Sequence, residues 1–165
     1  MIAIRKEEEK DYSQVREVLR AAFPSPAESQ LVDALRENGK AVLSLVAVHG
    51  EEILGHILFS PVSTDPPTSE KGLGLAPVAV KPNVQAKGIG TQLIREGLRL
   101  CRELNYDYVV VLGDPGYYSR FGFEQASPFG IQNEYGVDDA FMVIQFYGAV
   151  IGLVKYAREF SLFSV

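Results

Sequence analysis

The chain has 165 residues, 16 of them Lys or Arg against 21 Asp or Glu, for a formal net charge of −5, and it is 47% hydrophobic and 22% charged. That balance is ordinary for a globular protein, excludes disorder as the main state, and argues against wrapping nucleic acid, where affinity comes mostly from cations that neutralise phosphates. A single domain over residues 1–165 is expected, large enough to bury about 70% of the surface its unfolded chain would expose, and the lone cysteine, Cys101, forbids an internal disulfide and points to a reducing compartment.

Along the chain, residues 2–5 read as a short first strand, and residues 11–23 place Val15, Val18, Leu19, Ala22 and Phe23 at helical spacing. Ser25, Pro26, Ala27 and Glu28 read as a capping box with proline at the first helical position, and Gly39 stands where a C-terminal glycine cap belongs, so a second helix is expected between them. Strand-like runs at 43–48 and 53–62 are joined by His49, Gly50, Glu51 and Glu52, a hairpin signal. The stretch TDPPTSEKG at 64–72 is a loop by composition and the part expected to be least ordered. A strand over 73–80, a helix over 88–104, a β-branched strand over 108–112, a short helix over 116–121, a strand near Phe123 and another over 141–147 complete the order. The remaining C-terminal residues show neither a domain boundary nor a repeat. Together these elements predict a mixed sheet with helices on both faces, an α/β or α+β domain of three layers.

Cys101 falls in line with Gly90, Leu93 or Ile94, Gly97 and Leu104 on one helical face, which reads as a buried packing position. The apolar stretch over 140–154 is short and broken by Gln145, Gly148 and Gly152, and the first ten residues lack an apolar core of signal-peptide length. A cytoplasmic protein with no membrane contact is the expectation.

One segment carries chemistry. After the strand over 73–80 come Gln85, Ala86, Lys87, Gly88, Ile89 and Gly90, and a helix begins at once. A P-loop would need a Lys-Ser/Thr pair after the last glycine, where Thr91 and Gln92 stand; a dinucleotide fingerprint would need a third glycine at position 93, which is Leu. What remains is a run of backbone N–H groups at the positive end of a helix with no bulky side chain at 88 or 90, a geometry suited to an anion such as a pyrophosphate. Strand-to-helix packing alone would also explain the two glycines.

Gln-x-x-Gly-x-Gly after an apolar strand, then a helix, a second strand and the Tyr-x-x-x-Gly-Phe of GYYSRFGFE at 116–124, resembles the GNAT superfamily of acyl-CoA-dependent N-acyltransferases. APVAVKPNVQAKGIG and the tail GLVKYAREF are similar to a subfamily of bacterial acetyltransferases with unsettled substrates, and the likeness spans nearly the whole chain. It implies a mostly antiparallel central sheet with a splayed strand pair that holds the cofactor. It also implies that Val78, Ala79 and Val80 pair with the pantetheine arm of acetyl-CoA, while amides of Gln85, Ala86, Lys87, Gly88, Ile89, Gly90 and Thr91 hold the diphosphate. Pro77 is compatible with disrupted pairing there.

The implied function is transfer of an acetyl group from acetyl-CoA to a primary amine of a small molecule by direct attack through a tetrahedral intermediate. Such a reaction needs a neutral amine, a donor for the oxyanion and a proton for the leaving thiolate. Tyr118 occupies the family position of the general acid, and no metal is implied. Where many members carry an asparagine seven residues before this tyrosine, Val111 stands here, and Asp114 is a poor substitute beside a polyanion. Glu28 and His56 are in reach of base chemistry by residue type, but a capping role and a hydrogen-bonded sheet position explain them better, so no base is assigned and a water chain serves as well. Glu134, Asp138 and Asp139 form an acidic loop that would attract a cation. The alternatives are a non-catalytic acyl-CoA-binding regulatory module, a protein N-terminal or lysine acetyltransferase, and a phosphate-binding domain unrelated to CoA, which the two failed cradle patterns disfavour. A homodimer is compatible with the family's habits of assembly.

Overall fold

The computed structural model describes residues 1–147 and 150–163; Gly148, one of the interruptions in the apolar stretch, therefore lies outside the described residues. The chain divides into two compact units, one made of Met1–Phe59, Ala76–Gly97 and Arg158–Val165, the other of Ser60–Leu75 and Leu98–Ala157.

In the first unit, β1 (Ala3–Lys6) runs antiparallel to β2 (Leu43–His49), and β2 antiparallel to β3 (Glu52–Asp65). The predicted hairpin is present: His49 pairs with Glu52, and Gly50 adopts a φ of 62°, the left-handed conformation that two-residue hairpin turns favour. Strand β4 (Gly72–Val80) follows β3 in the sheet, and just past its end Lys81 N–H donates to the Leu54 carbonyl at 2.9 Å. Helix α1 (Tyr12–Ala22) buries Val15, Val18 and Leu19, and α2 (Ala27–Glu37) buries Leu31, Val32 and Leu35. Both stripes follow the helical period.

The ends of α2 divide the sequence expectation. At its C-terminus Gly39 N–H donates to Arg36 O and Lys40 N–H to Leu35 O, with Gly39 at φ 69°, a Schellman cap as predicted. At its N-terminus the predicted capping box does not form. Pro26 is the capping residue and offers no side-chain acceptor, Ser25 Oγ accepts from Ala27 N–H at 3.2 Å, and Glu28 does not reach back, its Oε1 lying buried without a partner among the described residues. Proline in the cap position itself, rather than one residue inside the helix, is the cause.

Successive residues of β3 face opposite sides of the sheet. A Cβ on Gly55 would stand 3.0 Å from Leu93 and 3.1 Å from Ile89, both on helix α3 (Ile89–Glu103), whereas His56 turns to Ser44 and Glu7 and senses the charge of Arg36 on α2. Helices thus cover both faces of this strand. A Cβ on Gly97 would meet the Phe59 ring at 2.5 Å, so the helix can lie this close only because position 97 is glycine.

In the second unit, β4 pairs in parallel with β5 (Tyr108–Leu112), β5 antiparallel with β8 (Phe141–Gln145), and β8 antiparallel with β6 (Glu124–Gln125). The β4–β5 ladder joins Gly72, Leu73 and Gly74 to Tyr108, Val109 and Val110, and among the described residues it ends there. A further parallel pair, β7 (Ile131–Asn133) with β9 (Gly152–Lys155), attaches through β9 to residues 63–65 of β3. Neither strand is among the predicted elements. The predicted loop shrinks to residues 66–71, since β3 runs to Asp65 and β4 begins at Gly72, and its end is clamped by Lys71 N–H on Asp107 Oδ2 at 2.7 Å and Asp107 N–H on Lys71 O at 2.8 Å. Cys101 is fully buried, and burial pushes its thiol up to about 12, as a packing cysteine requires. Leu104 departs from the predicted stripe: α3 stops at Glu103, Asn105 turns left-handed, and Leu104 is exposed.

Candidate active site

The strand-to-helix junction after β4 lies in the first unit, and its backbone is distinctive. Past a short 3-10 turn at Pro82–Val84, Ala86 has a φ of 64° and Gly88 of 82°, two left-handed residues that bracket Lys87. Ala86 holds a conformation that costs a non-glycine residue about 1–2 kcal/mol. The amides of residues 85–91 donate no hydrogen bond among the described residues; the first that does is Gln92 N–H, to Gly88 O at 3.0 Å. Unpaired amides at the start of a helix are a ready anion site, and α3, with 15 residues, is long enough to carry a full terminal dipole. A Cβ on Gly88 would point into open space, with nothing within 4 Å. The absent side chain therefore leaves room for a ligand rather than for another part of the chain.

Two residues outside the motif shape this junction. Gln85 Nε2 donates to the Val80 carbonyl at 3.0 Å, so the side chain braces the loop on the strand end while its own amide stays unclaimed. Gly55 lets Ile89 and the Ala79 carbonyl, 3.1 Å from where its Cβ would be, crowd onto β3 and so sets where α3 begins. A glycine inside a strand is the sequence signal for such close approach. Of the expected pantetheine residues, Ala79 is buried while Val78 and Val80 are half-buried, and Lys87 is exposed.

Tyr118 belongs to the second unit, at the end of α4 (Pro115–Tyr118), which a 3-10 turn at Ser119–Phe121 continues, together matching the predicted short helix. Asp114, discounted as a cofactor contact, is the N-cap: its Oδ1 accepts from Gly116 N–H at 3.0 Å, and proline follows at the first helical position. The Tyr118 ring packs edge-on against Tyr117 and Phe123 at centroid distances of 5.2 and 5.8 Å. It also lies where a Cβ on Gly113 would be, 2.3 Å away, so Gly113 is a positioning residue that the motif did not reveal. Burial, with a smaller contribution from Tyr117, pushes the phenol up to about 12, and its hydroxyl makes no hydrogen bond with another described residue. The phenol therefore keeps its proton at neutral pH. Val111, in the place of the usual asparagine, is buried in β5 and offers no polar contact.

The other acid–base candidates separate cleanly. His56 is completely buried; Ser44 Oγ donates to Glu7 Oε1 at 2.9 Å, so its 2.8 Å contact with His56 Nε2 assigns the imidazole proton to Nε2. Glu7 also pairs with Arg36, which bonds Asp33 in turn. Burial, assisted by Arg36, pushes His56 down to about 3, leaving a neutral structural histidine. Glu134 is engaged by Tyr156 N–H at 3.0 Å, whereas Asp138 and Asp139 are exposed. Among the described residues no group of three or more His, Cys, Asp or Glu side chains is arranged to hold a metal ion, and no helix is long and apolar enough to cross a membrane.

A mixed, mostly antiparallel sheet that delivers a glycine-rich turn to the start of a long helix is the arrangement of the GNAT fold. Residues 12–123 match the acetyltransferase (GNAT) family, and the chain belongs to it. The chain is 40% identical over 152 residues to YhbS of Escherichia coli K12, described as an uncharacterized N-acetyltransferase, covering 88% of this chain and 90% of that one. The crystal structure of E. coli YhbS in complex with CoA superposes with a TM-score of 0.92 at 38% identity, over 97% of this chain and 92% of that one. A GNAT-family acetyltransferase from Brucella melitensis in complex with acetyl-CoA gives a TM-score of 0.84 at 38% identity, over 97% and 98% of the two chains.

Proposed function

We propose that the protein transfers an acetyl group from acetyl-CoA to a primary amine of a small molecule. The observation that carries this is the run of unclaimed amides over residues 85–91, opened by two left-handed residues and left free of side chain at Gly88. Those amides would hold the diphosphate of the cofactor, and the backbone of Val78, Ala79 and Val80 would pair with its pantetheine arm. The residues present fit such a group, since the cradle has both donors and room. Bound there, acetyl-CoA supplies the acetyl group as a thioester, open to direct attack by a neutral amine nitrogen through a tetrahedral intermediate.

The chain's own contribution is to bind, to orient and to manage one proton. A backbone N–H of residues 78–80 would polarise the carbonyl. Tyr118, whose phenol keeps its proton at neutral pH, would deliver that proton to the leaving thiolate. Its unengaged hydroxyl supports this role, as do the glycine at 113 and the ring stack that fix it. The chain is read as one catalytic domain over residues 1–165, acting in the cytoplasm without membrane or nucleic-acid partners.

Free-thiol release from acetyl-CoA across a panel of amines tests the proposal. Release above the amine-free rate for at least one small primary amine is expected. Tight acetyl-CoA binding with no amine-dependent release would make the chain a non-catalytic acyl-CoA-binding module instead.

A further inference from the structure

The second unit contains a pocket of about 380 Å³ that the transfer chemistry above does not use. Its size falls in the range of small-molecule sites, about 300–1,000 Å³. Val137, 38% exposed, supplies the accessible apolar surface, with Ile131 and Phe141 buried behind it, and Ser127, Gln132, Asn133 and Asp138 supply the polar one. Asn133 is spent on the loop itself: its Nδ2 donates to Val137 O at 2.6 Å, and its Oδ1 accepts from Tyr135 N–H at 2.9 Å and Val137 N–H at 3.3 Å. That side chain fixes the loop's curvature and so holds the pocket open.

Asp138 is different. It is the only charged side chain lining the pocket, and its Oδ1 takes only a long 3.3 Å bond from Gln125 Nε2, which is shared with Ser127 Oγ at the same distance. Its Oδ2 accepts none among the described residues, and no Lys or Arg lines the pocket to neutralise it. An anion would be repelled here, and a neutral apolar molecule would strip water from a carboxylate without replacing its hydrogen bonds. A cation with a short hydrocarbon body satisfies both walls, through a charge-assisted hydrogen bond to Asp138 and apolar contact with Val137.

We propose that this pocket binds a small organic primary ammonium ion carrying a short hydrocarbon body. Only the further step, that this ligand is the acceptor of the acetyl group, rests on the function proposed above. The test therefore omits acetyl-CoA. The full chain, labelled with nitrogen-15, is titrated with n-butylammonium, n-butanol and butyrate while amide shifts are followed, in the parent, in Asp138→Asn and in the neighbouring control Asp139→Asn. Butylammonium should perturb the amides of Ile131, Gln132 and Phe141 and bind at least tenfold more tightly than either butanol or butyrate. Asp138→Asn should lose at least tenfold of that affinity while its spectrum otherwise shows the parent fold, and Asp139→Asn should lose less than threefold. Equal affinity for butanol, parental affinity in Asp138→Asn, or shifts confined to other residues would overturn the assignment. Failure of acetyl transfer would leave it standing, because no readout here depends on thiol release.

Discussion

The first unit holds two polar assemblies of opposite design. At residues 85–91 the backbone amides donate no hydrogen bond among the described residues, while around a buried His56 a serine, a glutamate and an arginine are bonded in one network, with the imidazole Nδ1 left unpaired among the described residues. Folding normally matches buried polar groups, because an unmatched one costs about 1–3 kcal/mol. Apart from Nδ1, which is buried without a partner among the described residues, the His56 network follows that rule and so explains itself as structure. The donors at the start of α3 have no such explanation, and in the function proposed above the diphosphate of acetyl-CoA would complete them. The Tyr118 hydroxyl falls on the same side of the contrast as the cradle.

The sharpest way to break this contrast is to remove an unengaged group and an engaged one and compare what each costs. Tyr118→Phe should lower turnover by roughly 10²- to 10⁴-fold with acetyl-CoA affinity nearly unchanged, measured as thiol release on a confirmed amine and by calorimetry. Turnover within twofold of the parent would reduce this tyrosine to a packing residue. His56→Gln should act on stability alone. The imidazole is pushed down to about 3 in the fold against about 6.5 when unfolded, so the unfolded chain takes the proton first. Its contribution is complete above about pH 6.5 and is lost as pH falls toward 3. Denaturant titrations at stepped pH should show the parent losing stability over that window and the variant losing less.

Smaller effects sharpen the same comparison. Gly55→Ala places a methyl 3.1 Å from the Ala79 carbonyl and should destabilise the fold by about 1–3 kcal/mol and weaken acetyl-CoA binding with it, because the start of α3 must move. Parental stability and affinity would show that the contact gives way freely. Tyr117→Phe should be the mildest, within about twofold in turnover, since a half-buried ring that packs on Tyr118 and Phe121 keeps both contacts without its hydroxyl.

The sequence made visible those features whose cause is local. Gly50 between two alternating runs encodes its hairpin, the β-branched run at 108–112 its strand, and two glycines before an amphipathic stripe the turn into α3. What it hid depends on partners distant in the chain. Gly55, Gly97 and Gly113 are glycines because of Leu93, Phe59 and Tyr118, and no local pattern names those neighbours. The pair β7 and β9 joins segments of three and four residues across some twenty positions, too short to show a period. The failed cap at Glu28 has the opposite lesson: the four residues match a capping box letter by letter, but proline in the cap position supplies no hydroxyl, and Ser25 spends its own one residue early.

The cradle is tested most directly by a pair of variants that differ in charge alone. Asn and Asp both tolerate the left-handed conformation that Gly88 holds at φ 82°, and either side chain enters the open space at position 88. Calorimetric titration of Gly88→Asn and Gly88→Asp with acetyl-CoA at low salt should find the Asp variant about tenfold weaker or more, the Coulomb cost of one carboxylate beside a diphosphate at a protein surface. A gap that narrows as salt is added would carry the same message. Equal affinities for the two variants would place the diphosphate elsewhere and contradict the account.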